Sequence, residues 1–190
     1  MPTYRVGYFV GSLSSTSINR VLSKALIRVA PSDLEFTEIP IGRLPLYSQD
    51  YDDDYPPEAM DLKAAIGRSD AVLFVTPEYN RSIPGGLKNA IDWASRPYGK
   101  NAFARKPSAI IGTSPGKIGT AIAQQHLRSI LAFCNSPLMN SVEAYIQFET
   151  GLITDDGRVT NESTEQFLRQ YIEEFAGFIA RVYTALPRNQ

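Results

Sequence analysis

The sequence predicts a doubly wound α/β sandwich, a parallel sheet with helices on both faces. Three observations lead there. Strand-like and helix-like segments alternate from end to end, with no internal repeat and no low-complexity linker, and alternation of this kind builds parallel sheets covered on both sides by right-handed crossovers. One strand candidate, Ala71-Val72-Leu73-Phe74-Val75, is apolar at every position, which suits a central strand buried on both faces. A chain of 190 residues matches one domain at ~100–200 residues per domain. Residues 1–190 are therefore read as a single domain, large enough to fold without disulfide or metal staples.

The elements follow in order. Tyr4–Val10 is β-rich and stops at Gly11. Ile18, Val21, Leu22, Ala25, Leu26 and Val29 form a one-faced helical stripe that Pro31 ends. Leu34–Ile39 reads as a second strand. Pro40–Pro57 is the longest irregular stretch, rich in Tyr and Asp and too long for a simple connector. Ala59, Leu62, Ala65 and Ile66 make a short helix behind Pro56-Pro57. After the central strand, Pro84-Gly85-Gly86 opens a helix with Leu87, Ala90, Ile91 and Ala94 on one face. Ser108–Gly112 is a fourth strand. Ala123, Leu127, Ile130, Leu131 and Cys134 mark the next helix, and Ser141–Ile146 is expected to supply the fifth strand. Asp155-Asp156-Gly157 is a turn. Ser163 with Gln166 has the spacing of a capping box before a long amphipathic helix carrying Phe167, Leu168, Tyr171, Ile172, Phe175, Ile179 and Val182.

Composition excludes several functions. Nineteen basic and 20 acidic residues, for a net charge of −1, provide no electrostatic footprint for nucleic acid. The single cysteine, Cys134, and single histidine, His126, exclude an intrachain disulfide, a Cys-rich zinc site and a multi-His metal centre. No apolar run approaches the ~18–20 residues needed to span a bilayer. The segment MPTYRVGYFVGS has no charged region before its apolar stretch, so it is not read as a signal peptide and a cytoplasmic location is expected. The Asn161-Glu162-Ser163 match to a glycosylation acceptor is then chance. Asp50, Asp52, Asp53 and Asp54 read as a solvated loop rather than a metal site.

Ligands in such sheets bind beyond the carboxyl ends of the strands, so the segments after each strand carry the functional reading. After the first strand stands Gly11-Ser12-Leu13-Ser14-Ser15-Thr16-Ser17-Ile18-Asn19, in which five of nine residues bear hydroxyls. Running into a helix N-terminus, it suits a phosphate: backbone N–H groups and the helix dipole favour negative charge. An ordinary N-cap loop, which also favours Ser and Thr, is the alternative. The dinucleotide fingerprint G-x-G-x-x-G is absent here. Gly112-Thr113-Ser114-Pro115-Gly116-Lys117-Ile118 falls short of a Walker A loop in spacing and in its last residue. After the third strand comes Thr76-Pro77-Glu78-Tyr79-Asn80-Arg81-Ser82-Ile83-Pro84-Gly85-Gly86-Leu87-Lys88-Asn89-Ala90-Ile91-Asp92-Trp93. Its prolines and glycines fix an unusual path beside a tyrosine, which suits a flat heteroaromatic ligand. A tight turn into a Pro-capped helix is the plainer reading.

Together, G-S-L-S-S-x-S-x-N and T-P-E-Y-N-x-S-I-P-G-G-L-K-N-A-I-D-W resemble the NAD(P)H-dependent FMN reductase family, which includes bacterial quinone and chromate reductases of flavodoxin-like fold. The second motif is the more specific, and the likeness in element order covers the whole chain. The resemblance implies a five-stranded parallel sheet of order 2-1-3-4-5 with FMN as cofactor. It implies that Ser12, Ser17 and Asn19 surround the FMN phosphate, with Ser14 and Ser15 available to help. Pro77, Glu78, Tyr79 and Asn80 would line the isoalloxazine largely through backbone groups, and Ser114 and Gly116 would meet its other edge. Members of the family often carry Arg where this chain has Ser14, which implies weaker hold on the phosphate.

The single residues are read conservatively. His126, in phase with Ile122 and Ile130, is expected to be partly buried in packing or at an interface rather than catalytic. Cys134 reads as a small hydrophobe, and Trp93 as core or subunit interface. No catalytic side chain and no metal are expected, because the flavin carries the chemistry. The expected reaction is ping-pong hydride transfer from NADPH or NADH through FMN to a quinone or similar small acceptor. Alternatives are reduction of free FMN as a substrate, a non-enzymatic flavodoxin-like carrier, and a non-flavin nucleotide or phosphosugar enzyme. Flavodoxin carriers tend to be strongly acidic, unlike this near-neutral chain. Tyr47, Tyr51, Tyr55, Tyr79, Trp93 and Tyr98 near the expected site point to a homodimer or homotetramer whose subunits share a wall of it. The resembled family typically forms such assemblies. The alternative is that these tyrosines pack against their own sheet.

Overall fold

The most apolar strand takes the middle of the sheet. In the computed structural model, which describes residues 3–187, β3 (Ala71–Val75) is buried at every residue. It lies between β1 (Tyr4–Val10) and β4 (Ser108–Ser114), with β2 (Leu34–Glu38) and β5 (Tyr145–Gln147) at the edges. The order is β2-β1-β3-β4-β5 and every pairing is parallel, as expected. This is the flavodoxin-like arrangement.

Side chains alternate across the strands and divide the core in two. Val6, Leu73, Val75, Ala109 and Ile111 face α1 (Ile18–Val29) and α5 (Glu162–Ala185). Phe9, Val72, Phe74 and Ile110 face α2 (Pro57–Arg68), α3 (Gly85–Ser95) and α4 (Ala121–Phe133). On α5 the buried stripe is Leu168, Tyr171, Ile172, Phe175 and Ile179, of which Leu168, Ile172, Phe175 and Ile179 each contribute ~1.5–3 kcal/mol by leaving water. On the other face Phe9 and Phe74 stack at 5.1 Å between ring centroids.

Three local expectations are corrected. β5 is Tyr145–Gln147 rather than Ser141–Ile146: Val142 sits at a φ of 61°, which interrupts extended backbone before the strand begins. β4 runs two residues further than its apolar run, because Thr113 and Ser114 pair with Ile146 and Gln147. α5 is capped by Asn161, whose Oδ1 accepts from the Thr164 N–H at 2.9 Å, and not by a Ser163–Gln166 box. The Ser163 hydroxyl instead donates to that same Asn161 oxygen at 2.7 Å. Cys134 ends α4 as its C-cap and is buried as expected. Burial pushes its thiol pKa up, which keeps it protonated and unreactive.

The chain leaves β1 toward one face and β3 toward the other, so the two loops diverge at their carboxyl ends, the switch point where such sheets bind ligands. Close approach of β3 and β4 sets the floor there. A Cβ at Gly112 would lie 2.0 Å from the Thr76 carbonyl oxygen and 2.3 Å from Thr120 Oγ1. Gly112→Ala must therefore push the strands apart, and a loss of about 3 kcal/mol in unfolding free energy is expected in urea titration. An unchanged midpoint would mean that this end of the sheet is not tightly set.

Candidate active site

At the end of β1 the hydroxyl loop is organised by its own side chains. Ser17 caps α1, its Oγ accepting from the Arg20 N–H at 3.3 Å. Ser14 Oγ accepts from the Thr16 N–H at 3.2 Å, and Ser12 Oγ accepts from the Ser14 N–H at 3.3 Å. A hydroxyl that accepts from the backbone keeps its own O–H to donate. The N–H groups of Ile18 and Asn19 begin α1 and have no acceptor within the helix. The loop thus offers one compact set of donors at the positive end of a helix. Ser14 and Ser15 are exposed, whereas Ser12 and Ser17 are buried.

Asn19 is differently employed. It is buried, its Nδ2 donates to the Thr113 carbonyl at 2.9 Å, and its Oδ1 accepts from the Thr113 N–H at 3.0 Å. Its side chain clamps α1 to β4 and so fixes where the loop points. Its backbone N–H stays at the helix end.

After β3 the chain turns sharply. Tyr79 and Ser82 exchange two backbone hydrogen bonds at 2.9 and 3.0 Å, with Asn80 and Arg81 between them at φ 51° and 62°. That is the left-handed geometry of a type I′ turn. Tyr79 is 49% exposed, and its hydroxyl lies 3.5 Å from Ser12 Oγ, joining this turn to the hydroxyl loop. Glu78 points away from solvent. Its Oε2 accepts from the N–H groups of Ile122 and Ala123, at 3.0 and 3.1 Å, and its Oε1 from Arg81 Nη1 at 3.0 Å. The first turn of α4 has no capping side chain of its own, so a carboxylate 44 residues away serves as its cap. One turn further along α4, His126 Nδ1 lies 3.1 Å from Ser82 Oγ. His126 is exposed, not partly buried among Ile122 and Ile130, and holds the turn rather than the core.

The third wall follows β4. Ser114 Oγ donates to the Gly119 carbonyl at 2.7 Å and accepts from the Gly116 N–H at 3.2 Å. Gly119 has a φ of 56°, and a Cβ there would meet the Tyr145 backbone at 2.8 Å. Between this loop and the turn lies a cleft of about 240 Å³ lined by Asn80, Arg81, Ser114, Gly116 and Ile118. Lys117 is exposed beside it. A broader cleft near Arg5, Asp70 and Lys106 lies at the opposite, amino-terminal end of the strands.

The tyrosine-rich stretch packs inward more than expected. Tyr47, Tyr51 and Tyr55 surround Trp93 at centroid distances of 5.1, 5.7 and 5.1 Å. Trp93 is fully buried, and its Nε1 donates to the Pro45 carbonyl at 2.7 Å. Asn89 pins the same stretch through Tyr47 N–H and Pro45 O. Desolvation raises the Tyr55 pKa to about 12, so its hydroxyl stays protonated and donates to Trp93 O. These three rings are therefore largely used within the subunit. Asp52 accepts from the Tyr47 hydroxyl at 3.0 Å.

Comparison with known proteins agrees with this geometry. Residues 4–151 match the family of NADPH-dependent FMN reductases. The chain belongs to that family. A 2-hydroxy-1,4-benzoquinone reductase from Burkholderia sp is 49% identical over 92% of this chain and 96% of its own length. A quinone reductase from Pseudomonas putida is 46% identical over 93% of this chain and 95% of its own. Among solved structures, the flavoenzyme FerB from Paracoccus denitrificans, an NAD(P)H:acceptor oxidoreductase, superposes with a TM-score of 0.91 at 46% identity, covering 94% of this chain and 98% of that one. The protein is thus an oxidoreductase of the flavoenzyme class, using FMN with NAD(P)H as co-substrate.

The residues fit that cofactor. One cluster of donors suits one phosphate, and a half-exposed tyrosine beside a rigid turn suits a planar ring. Sequence reasoning missed the capping role of Glu78, the clamp of Asn19 and the link from His126 to Ser82. No local signal announced the tertiary cap: Thr120 stands at the N-cap position of α4 as a favoured capping residue would, yet its side chain makes no capping bond there. Glu78→Ala should lower unfolding free energy by about 1–2 kcal/mol, the usual cost of a lost cap. Glu78→Gln, which still accepts, should lose less. Indistinguishable melting of the two variants and the parent protein would contradict a tertiary cap.

Proposed function

We propose that the protein carries hydride from NADPH or NADH through bound FMN to a quinone or similar small acceptor. The supporting observation is the meeting of two loops at the switch point: the hydroxyl loop and the β3 turn come together at Ser12 and Tyr79, 3.5 Å apart. The quinone reductases among its relatives support the acceptor class. When bound, FMN supplies two-electron chemistry that no side chain here performs.

The chain's residues then have these roles. Ser12, Ser14, Ser15 and Ser17 donate to the phosphate with the first N–H groups of α1, and Asn19 holds that helix in place. Pro77, Glu78, Tyr79 and Asn80 line the ring mainly through backbone. Ser114 and Gly116 would approach its other edge, in a loop held by the Ser114 hydroxyl through Gly116 N–H and the Gly119 carbonyl. Nicotinamide and acceptor would occupy the same site in turn, which predicts ping-pong kinetics.

FMN is expected to bind more tightly than FAD, since the loop offers one phosphate site and no second for a pyrophosphate. The purified protein should show a flavin spectrum that bleaches with NADPH under anaerobic conditions. Ser12→Ala and Ser17→Ala should each weaken FMN binding by ~1–3 kcal/mol, and Ser14→Arg should tighten it. Unchanged affinity in both alanine variants would put the phosphate elsewhere. A colourless protein indifferent to FMN would overturn the whole reading. NAD(P)H oxidation without a partner reductase separates the enzyme from an electron carrier, and a stoichiometric flavin separates it from a reductase of free FMN.

Assembly is inferred to be a homodimer or homotetramer, with a second subunit walling the ring site. Exposed apolar surface supports this: Tyr98 is 90% exposed and Leu46 83% exposed, while Leu13 and Ile118 stand open around the site. The inferred location is the cytoplasm; among the described residues no helix is long and apolar enough to cross a membrane. Light scattering at micromolar concentration should give at least twice the 21.0 kDa chain mass. A fully active monomer would contradict the shared wall.

A further inference from the structure

Arg81 occupies a backbone conformation that its side chain makes costly. At φ 62° it stands second in a type I′ turn, where glycine is the favoured residue and a Cβ is disfavoured. A strained residue at a ligand cleft points to a function for its side chain. That side chain is 66% exposed and lines the cleft beside Ser114 and Gly116.

Its charge is incompletely balanced. Glu78 is the one acid lining the cleft among the described residues, and it is Arg81's ion-pair partner at 3.0 Å. The other oxygen of Glu78 accepts two N–H groups at the positive end of α4. One carboxylate therefore answers both a guanidinium and a helix terminus, which carries roughly +0.5 of an elementary charge. The sum at the cleft is positive. Of the five guanidinium donors, the bond to Glu78 uses one, on Nη1. The fork can present the rest to a planar, oxygen-bearing ligand.

We propose that Arg81 is a specificity-determining residue that directs the enzyme toward quinones bearing an ionised ring substituent, above all hydroxyquinones. This rests on the proposed quinone reduction and names its acceptor class. A hydroxyl conjugated to a quinone carbonyl is a vinylogous acid, anionic at neutral pH, and pairs with a guanidinium as a carboxylate does. Reduction adds a hydride equivalent, derived from NAD(P)H by way of the flavin, and so adds one more negative charge. Two solvent protons then complete the neutral triol, one on the second carbonyl oxygen and one on the substituent oxygen, which loses its acidity with the conjugated carbonyl. Arg81 attracts the anion and stabilises the charge as it develops.

The test compares FMN-loaded parent protein with Arg81→Lys, Arg81→Gln and Arg81→Gly. Glycine suits the turn better than arginine but removes the cation, so it separates turn geometry from charge. Two readouts are taken: the ratio of kcat/KM for 2-hydroxy-1,4-benzoquinone to that for 2-methyl-1,4-benzoquinone, and calorimetric affinity for benzoate against its neutral isostere benzamide. The parent protein should favour the anion in both. Gln and Gly should each cut the preference by about tenfold or more, in line with a charge-assisted hydrogen bond, and Lys should restore part of it. An unmoved preference in the Gly variant, with FMN binding and turnover intact, would overturn this role for Arg81 alone. So would variants that alter the NADPH-to-NADH ratio instead, because the cation would then read the donor's phosphate. Failure of the parent protein to bind FMN would overturn the flavin reading and this assignment with it.

Discussion

The turn after β3 and the amino end of α4 are bound to one another through the carboxylate of Glu78, whose oxygens reach Ile122, Ala123 and Arg81. The two walls of the candidate site depend on this contact. α4 starts where the β4 loop ends, so holding its first turn also holds the loop carrying Ser114 and Gly116. The contact is short-range and directional, and little exposed: the Glu78 side chain keeps 7% of its surface in water. A charged acceptor shielded in this way and satisfied on both oxygens is worth more than an exposed ion pair. His126 repeats the arrangement one turn later with Ser82. The rigid part of the site is thus a helix, and the turn is fastened to it at two points.

The hydroxyl loop depends on Asn19 in a similar manner. Its amide replaces a backbone partner for Thr113, giving and taking one hydrogen bond each. The helix that presents the hydroxyl loop is then referenced to the same strand that leads to Ser114. Glu78 and Asn19 each spend a side chain on placing backbone N–H groups. This accords with a site in which backbone, rather than side chains, meets most of the ligand.

Much of this was legible in the sequence because the signals were periodic. The helical stripe of Ile18–Val29 and the unbroken apolar run of Ala71–Val75 are direct imprints of one-sided and two-sided burial. The two loops of the candidate site stood out because hydroxyls, prolines and glycines constrain backbone locally. What escaped was long-range. The bounds of β5 were missed, Tyr145–Gln147 instead of Ser141–Ile146, since it has three residues, none fully buried, and takes its register from β4. The tertiary cap links positions 44 apart, and no local pattern encodes such a pairing. The tyrosines of the Pro40–Pro57 stretch were legible as unusual but not as a cage, because their common partner, Trp93, lies on a helix far along the chain.

That cage gives the chain a built-in optical reporter. Trp93 is the sole tryptophan in the sequence. Three tyrosine rings and the Pro45 carbonyl enclose its indole. Its emission therefore reads the polarity of a single known place. Any event that lifts the Pro45–Tyr55 segment from α3 would admit water to the indole and redden the emission, whereas bound flavin, which absorbs in the same region, would dim it without reddening it.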